Sequence, residues 1–295
     1  MNANIPTARI VVGVDGSPSS REALRWAGEL ARVLDGRVVA VHGLGVPGRR
    51  ASRPDQAQRR YEEITELELE WCQELVRAGI PFSTAVRTGC PIEVMSAVAD
   101  QHKAGLVVVG NRGTGSTPPG GLGRTTWRML QHGRQPVLVV PEQGAGAHHL
   151  GLRNIVVGFD GSAASEWVLE AAGEMAVAFD SRVTFVRALE SHPYGPPHER
   201  VDARLPQVAG RLSDRGIAVQ AVIRRGDAAD VIHDTVASLD SDLVAVGARR
   251  DGALTAEPGS VTRCLLHKTL RPTLVAPSRG AQRRARSLAS GPRDA

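Results

Sequence analysis

The segment Ile10–Ser17, with the sequence IVVGVDGS, recurs almost unchanged as IVVGFDGS at Ile155–Ser162. The two segments lie 145 residues apart in a chain of 295, so each of them opens one half. An apolar run that ends in Gly-x-Asp-Gly-Ser predicts a buried strand that leads into a tight turn. Because the whole segment is repeated, we predict two domains of the same fold.

Each half continues with short apolar runs that alternate with stretches of helical periodicity. This alternation predicts an α/β fold with a parallel, doubly wound sheet in each half. The predicted strands are Ile10–Val14, Val38–Val41, Phe82–Val86, Leu106–Val109 and Val137–Val140, then Ile155–Phe159, Val183–Val186, Ala218–Val222, Leu243–Val246 and Thr273–Ala276. We predict domains at residues 1–142 and 153–277, a linker at 143–152 and a disordered basic tail at 278–295.

The two halves differ most in the region of a long amphipathic helix that we predict at Ala57–Ala78. Its expected apolar side consists of Tyr61, Ile64, Leu67, Trp71, Leu75 and Val76. On its charged side we expect an ion pair between Glu74 and Arg77. The offset between the halves falls from 145 at His42 to 137 at Gly89, so the second half lacks eight residues here.

Composition and charge exclude several classes of protein. No apolar run approaches the ~20 residues that a membrane span needs, and we expect neither a signal peptide nor membrane association. The cysteines, Cys72, Cys90 and Cys264, are far apart. They predict a cytoplasmic protein without disulfides and without a metal site. The net charge is +5, but the tail 278–295 holds five arginines and one aspartate, so we expect no specific binding to nucleic acid.

A glycine-rich loop follows the fourth predicted strand of the first half. Gly110 and Gly113 are separated by two residues, Gly123 follows after nine more, and a helix is predicted at Thr125–Gln131. Glycines at the carboxyl end of a parallel strand let backbone N–H groups approach a phosphate, and the following helix adds its first N–H groups. The pattern predicts an anion site for a phosphate chain, with an ordinary surface loop as the alternative. It matches neither a P-loop nor a dinucleotide fingerprint.

These motifs together resemble the universal stress protein family in its tandem form. The family opens with an apolar strand that ends in Asp-Gly-Ser and later carries Gly-x2-Gly-x9-Gly, and the closing PVLVVP and PTLVAP strands agree with it. The resemblance covers residues 8–141 and 153–277. It implies two Rossmann-like domains, each with a five-stranded parallel sheet in the order 3-2-1-4-5. It also implies ATP binding and pairing of the two halves through their final strands, with a further homodimer left open.

The resemblance assigns a first nucleotide site to residues of the first half. Asp15, with Gly13 and Val14, is expected at the adenine end, where the backbone of Gly43 also contacts the base. The family expects Ser or Thr directly after the third glycine, but this chain has Arg124, which either contacts phosphate or points to solvent. The residues assigned to this site are Gly13, Val14, Asp15, Gly43, Gly110, Arg112, Gly113, Gly123, Arg124 and Thr125.

The second half departs further from the family pattern. Arg250 stands where the second glycine is expected, and the interval to Gly259 is one residue short. We therefore expect a weaker or blocked site, although Gly259-Ser260 keeps the ending of the motif. The residues assigned to it are Gly158, Asp160, Ala188, Gly247, Arg250, Gly259, Ser260 and Val261.

Three functions remain as hypotheses from the sequence. The first is an ATP-binding regulator in the stress response, with ATP bound with or without Mg²⁺ and no catalytic residues. The second is a scaffold whose two pockets have decayed, and the third is a slow ATP-hydrolysing enzyme in which Asp15 acts as a base. Ser17 and Ser162 are interpreted as helix caps rather than nucleophiles. His42 is interpreted as a hydrogen-bonded residue, and His148-His149 is not expected to bind metal.

Overall fold

Valine, leucine, isoleucine and alanine dominate the strands of both halves, and most of their side chains are fully buried. Strands that are apolar on both faces are typical of parallel sheets covered by helices on each side. The computed structural model describes residues 9–45, 53–115, 121–142, 151–189, 204–248 and 257–277. Its two compact units divide between residues 144 and 145.

The first half alternates strands and helices in the predicted order. Its elements are β1 (Arg9–Gly13), α1 (Pro18–Val33), β2 (Arg37–Gly43), α2 (Arg53–Glu66), a π-helical turn (Leu67–Trp71), α3 (Gln73–Arg77), β3 (Phe82–Arg87), α4 (Pro91–Gln101), β4 (Leu106–Gly110), α5 (Arg124–His132) and β5 (Val137–Val140). Within the half the strands are parallel and lie in the order β3-β2-β1-β4-β5.

The second half repeats this arrangement with one helix in place of α2, the π-turn and α3. Its elements are β6 (Asn154–Gly158), α6 (Ala163–Phe179), β7 (Arg182–Leu189), α7 (Arg204–Ser213), β8 (Val219–Arg225), α8 (Ala228–Ser238), β9 (Leu243–Gly247), α9 (Ser260–Lys268) and β10 (Thr273–Ala276). The strands are again parallel, in the order β8-β7-β6-β9-β10. The predicted fold class and strand order are thus confirmed for both halves.

The helix that we predicted at Ala57–Ala78 is wrong in its detail. A π-turn interrupts it, since the N–H of Cys72 donates to the carbonyl of Leu67 at 3.0 Å, five residues back. This extra residue in the turn keeps Leu67 and Leu75 buried on the same side of the helix. Tyr61 and Val76, expected on the apolar side, are 68% and 59% exposed.

The predicted pair of Glu74 and Arg77 forms no hydrogen bond, and Arg77 acts on Glu74 through its charge alone. Glu74 accepts two hydrogen bonds from Arg25 of α1, at 2.6 and 2.8 Å, while Arg77 donates to Gln73 Oε1 at 2.8 Å. The bidentate guanidinium–carboxylate geometry is stronger than a single helix-spaced contact. The Arg25 guanidinium accordingly lowers the pKa of Glu74 below its ordinary value.

Two predicted segments fall largely outside the described residues. The tail 278–295 and residues 143–150 of the linker belong to this part of the chain. Leu152, which we assigned to the linker, is buried, and its carbonyl accepts a hydrogen bond from Ser181 Oγ in the second half. No helix within the described residues is long and apolar enough to cross a membrane.

Candidate functional site

A crevice opens in the first half where β1 and β4 part at their carboxyl ends. The two strands pair through Val12 and Val108, but the next residues turn to different neighbours. The N–H of Val14 donates to the carbonyl of Val41 in β2, whereas Gly110 is paired with Val140 in β5. Such a reversal of strand order is where open α/β sheets bind ligands. It brings the β1–α1 turn next to the glycine-rich loop.

Asp15 ties this turn to the glycine-rich loop through both oxygens of its carboxylate. Oδ1 accepts hydrogen bonds from the N–H and the hydroxyl of Ser17, at 3.1 and 2.6 Å. Oδ2 accepts one from the N–H of Thr114 at 3.0 Å, across 99 residues of sequence. The half-buried carboxylate therefore fixes the position of the loop as well as that of its own turn.

Each of the three glycines in the motif lies against another part of the site. A Cβ on Gly110 would come within 2.7 Å of the backbone of Ser19, and one on Gly113 would overlap Oδ2 of Asp15. At Gly123 a Cβ would lie 3.2 Å from Cα of Arg112. Close packing within the protein itself thus favours glycine at these three positions, most strongly at Gly110, independently of any ligand.

Two hydroxyl groups that the sequence analysis missed anchor the loop. Ser19 Oγ donates to the carbonyl of Arg112, and Thr126 Oγ1 donates to the carbonyl of Gly110 at 2.7 Å. The side chain of Arg112 also serves the loop, because Nε donates to the carbonyl of Gly121 at 3.2 Å.

Helix α5 begins at this loop without a side-chain cap. Its N-cap residue is Gly123, and the first backbone N–H bonded within the helix is that of Trp127, which donates to the carbonyl of Gly123 at 2.9 Å. The preceding N–H groups, those of Arg124 and Thr125 among them, have no intrahelical acceptor. Arg124 is exposed and Thr125 half-buried. The nine-residue helix thus presents free donors and a positive dipole end to the crevice.

The opposite end of the crevice is lined by the exits of β1 and β2. A Cβ on Gly13 would lie 2.9 Å from the end of the Met95 side chain, and one on Gly43 would come within 2.8 Å of Cα of Pro91. His42 is hydrogen-bonded, as interpreted, with Nδ1 2.7 Å from the carbonyl of Val14. The assigned residues of the first site therefore lie along the carboxyl ends of β1, β2 and β4.

Trp71, which the sequence analysis placed on the apolar side of a helix, lies at this end of the crevice. The indole ring of Trp71 packs edge-to-face on His42, with ring centroids 5.3 Å apart. The same ring lies against Gly16, whose positive φ of 77° leaves the backbone open on that side. Trp71 is half-buried, so part of the indole reaches the surface next to the β1–α1 turn.

The second half keeps the framework of the site. Asp160 Oδ1 accepts from the N–H of Ser162 at 2.9 Å, and Thr262 Oγ1 donates to the carbonyl of Gly247 at 2.8 Å. Gly259 is the N-cap of α9, again without a side-chain cap. Its N–H donates to the carbonyl of Ala248 at 2.8 Å, so the shorter loop retains this backbone anchor.

Other positions of the second half have changed. Ala164 replaces Ser19, so the hydroxyl that anchors the first loop is absent there, and Arg187 takes the position of His42. Gly158 is packed against Ile232, while Ala188 and Val261 are half-buried and Ser260 is exposed. Arg250, which stands where the second glycine is expected, lies outside the described residues.

The remaining candidates of the sequence analysis are capping, metal and thiol groups. Ser17 and Ser162 cap α1 and α6 as predicted, each accepting at 3.2 Å from the N–H three residues on. No group of three His, Cys, Asp or Glu side chains suited to a metal ion occurs within the described ranges. The cysteines are free thiols, and burial raises the pKa of Cys72 to about 12.

Comparisons with known proteins agree with this architecture. The model of the Universal stress protein family matches residues 6–141 and 151–277. A universal stress protein from Mycobacterium tuberculosis (strain ATCC 25618 / H37Rv) is 28% identical over 192 residues, covering 61% of this chain and 61% of that protein. One from Mycolicibacterium smegmatis is 33% identical over 167 residues, or 53% of this chain and 55% of the relative. The chain thus spans less than two thirds of the length of these relatives.

The fold is also that of a solved structure. A universal stress protein from Archaeoglobus fulgidus superimposes with a TM-score of 0.74 over 92% of this chain and 98% of its own, at 18% sequence identity. This likeness concerns the fold and extends through both halves of the chain.

Proposed function

Since the chain belongs to the universal stress protein family, we propose that its first half binds ATP and that the bound nucleotide regulates its role in the stress response. The observation that carries this proposal is the convergence of three features on one crevice. They are the Asp15 turn, the anchored glycine loop and the uncapped start of α5. A helix start with free N–H donors is suited to a phosphate group.

The residues present fit a nucleotide in one orientation. The phosphates lie at the N–H groups of Arg124 and Thr125, where the exposed Arg124 guanidinium adds charge-assisted hydrogen bonds. The base lies at the exits of β1 and β2, where Val14 and Gly43 offer backbone groups. Arg112 is assigned to the loop rather than to phosphate because its Nε is already hydrogen-bonded to Gly121. Mg²⁺, when present, is held chiefly by the phosphates.

We assign no catalytic step to this site. The hydroxyl of Ser17 donates a hydrogen bond to Asp15, and the hydroxyl of Ser19 donates one to the carbonyl of Arg112. Both hydroxyls thus stabilise the loop, and both oxygens of Asp15 accept backbone N–H groups. The proposed activity is binding in the cytoplasm, which three free thiols favour.

The second half is proposed to bind nucleotide more weakly. Its framework is retained, but Ala164 lacks the hydroxyl that holds the first loop in place. The loop of the second half therefore loses one hydrogen bond that preorganises the phosphate site. Ordering a loop on binding costs free energy, so less preorganisation lowers affinity.

The proposal is tested on the purified full chain. Heat denaturation releases adenine nucleotide that is identified by chromatography, and added ATP raises the melting temperature. A ligand at 100 times its dissociation constant stabilises the folded state by about 2.7 kcal/mol. Gly113→Val abolishes both effects, because the side chain displaces Asp15. Gly115→Val is the matched control, since among the described residues a Cβ there meets no atom within 4 Å.

A second matched pair separates the two halves. Asp15→Asn lowers the stoichiometry or the affinity for ATP in calorimetric titration, whereas Asp160→Asn leaves the tighter site unchanged. A chain that releases no nucleotide and shows no ATP-dependent stabilisation at millimolar ATP is a scaffold instead. Phosphate release that survives purification and is lost in Asp15→Asn indicates an ATP-hydrolysing enzyme.

A further inference from the structure

The aromatic pair His42–Trp71 lies next to the turn that we assign to the base end of the nucleotide site. His42 directly precedes Gly43, and its Nδ1 contacts the carbonyl of Val14 at 2.7 Å. The indole of Trp71 lies against Gly16, the residue that follows Asp15. The two rings thus contact each other and lie beside the backbone of the β1–α1 turn, where we place the base.

The π-turn sets the position of this indole. Its wide hydrogen bond, from Cys72 to Leu67, lets the helix keep Leu67 and Leu75 buried while Trp71 stays half-exposed beside the β1–α1 turn. On the other side, Glu68 accepts a hydrogen bond from Thr84 of β3 at 2.7 Å, which fixes the turn on the sheet. π-Turns within helices occur frequently at functional sites.

At the positions that match His42 and Trp71, the second half has no aromatic side chain. Equivalent positions follow from a shared contact, because Leu75 packs on Gly28 in the first half and Leu212 packs on Gly173 in the second. Counting back four residues from Leu212 places Val208 at the position of Trp71, on the regular helix α7. Arg187 stands at the position of His42. Neither ring is thus kept at the two matching positions that the structure describes in the second half.

We propose that Trp71 determines base specificity in the first site, by giving the purine ring an aromatic surface to pack against. The proposal rests on the proposed function and adds to it the residue that distinguishes purine from pyrimidine nucleotides. Stacking on an aromatic side chain is worth roughly 5- to 150-fold in affinity for each base, and purines offer the larger π-face. The phosphates are assigned to the start of α5, so we expect the indole to act on the base rather than on the phosphates.

The test compares three ligands, ATP, UTP and inorganic triphosphate, by calorimetric titration of the full chain. Trp71→Val copies the residue of the second half, and Trp71→Phe retains an aromatic ring. We expect Trp71→Val to weaken ATP binding by roughly 5- to 150-fold, with UTP affected less and triphosphate unchanged. Trp71→Phe restores most of the ATP affinity. ATP also quenches part of the tryptophan emission in the unmodified chain, and Trp71→Phe removes that quenching while binding persists.

Several outcomes overturn the proposal. Equal losses for ATP, UTP and triphosphate in a folded Trp71→Val chain indicate a structural role. An unchanged ratio of ATP to UTP affinity, or quenching that persists in Trp71→Phe, overturns base recognition but leaves ATP binding intact. If the unmodified chain binds none of the three ligands, the proposed function fails together with this inference.

Discussion

Replacing Gly113 with alanine tests whether the glycine motif is required by the Asp15 contact rather than by backbone strain. Gly113 is absent from the residues with positive φ, so alanine fits its backbone conformation. The new Cβ overlaps Asp15 Oδ2, and relief of this overlap breaks the 3.0 Å hydrogen bond from the N–H of Thr114. Charge-assisted bonds are worth about 1.5–3 kcal/mol, and solvent exposure places this one near the lower value.

Whether Gly113→Ala raises or lowers the free energy of unfolding is expected to depend on Asp15. Alanine in place of glycine at a compatible site stabilises a protein by about 0.4–1 kcal/mol through the unfolded chain. In the unmodified protein this gain is smaller than the lost bond, so Gly113→Ala lowers the free energy of unfolding by about 1 kcal/mol. In an Asp15→Ala background the overlap is gone, and the same change raises it by about 0.4–1 kcal/mol.

The measurement is a double-mutant cycle from urea unfolding followed by circular dichroism. We expect a coupling free energy of about 1.5 kcal/mol between the two positions, well above the ~0.5 kcal/mol at which distant sites are additive. Gly115→Ala lies on the same loop, and no atom of the described residues is within 4 Å of its added Cβ; it is the control and is expected to be neutral or stabilising in both backgrounds. Equal effects of Gly113→Ala in both backgrounds refute the reasoning.

Three further predictions concern single groups. Thr126→Val and Thr262→Val each remove a hydrogen bond to a glycine carbonyl, and each lowers the free energy of unfolding in urea by about 1–2 kcal/mol. Only Thr126→Val is expected to weaken ATP binding. Equal losses of ATP affinity in the two variants contradict the proposal of two unequal sites. Burial raises the pKa of Cys72 to about 12, so a thiol reagent at pH 8 modifies it only after unfolding, and mass spectrometry that finds it labelled in the folded protein contradicts this. Because Arg25 lowers the pKa of Glu74, their contribution is complete above the unfolded value of 4.5 and is lost as the pH falls through the lower folded value. Glu74→Gln therefore reduces the loss of unfolding free energy between neutral and acidic pH by less than about 1 kcal/mol, because the ion pair is exposed to solvent. The same loss in the variant and the unmodified chain shows that the pair contributes nothing.

Local patterns predicted the strands and helix caps well because their determinants lie close together in the sequence. A short apolar run such as Ile10–Val14 is recognisable by itself, because it becomes a buried strand in whichever parallel sheet forms. The caps Ser17 and Ser162 bond to N–H groups only three residues away. Strand order followed from the family resemblance, and the parallel character followed from the alternation of elements.

Contacts between distant segments were not predictable in the same way. Ser19 bonds to a carbonyl 93 residues later, and Thr126 bonds to one 16 residues earlier, so neither hydroxyl is distinguished by its neighbours in sequence. The prediction of an uninterrupted helix failed at the π-turn Leu67–Trp71 for a similar reason. Helical periodicity assumes 3.6 residues per turn, whereas burial of Leu67 and Leu75 against the sheet and α1 decides where one extra residue is accommodated.

The differences between the two halves support a division of roles that the repeated segment alone conceals. The retained features, such as the Thr262 and Asp160 contacts, serve the backbone of the turn and loop, which any copy of this fold needs. The lost features are Ser19, His42 and Trp71, replaced by Ala164, Arg187 and Val208. One lost feature, the Ser19 hydroxyl, anchors the loop, and the other two are the rings beside the proposed base site. Their loss, with the strands and helix caps retained, is the basis on which we propose weaker binding in the second half.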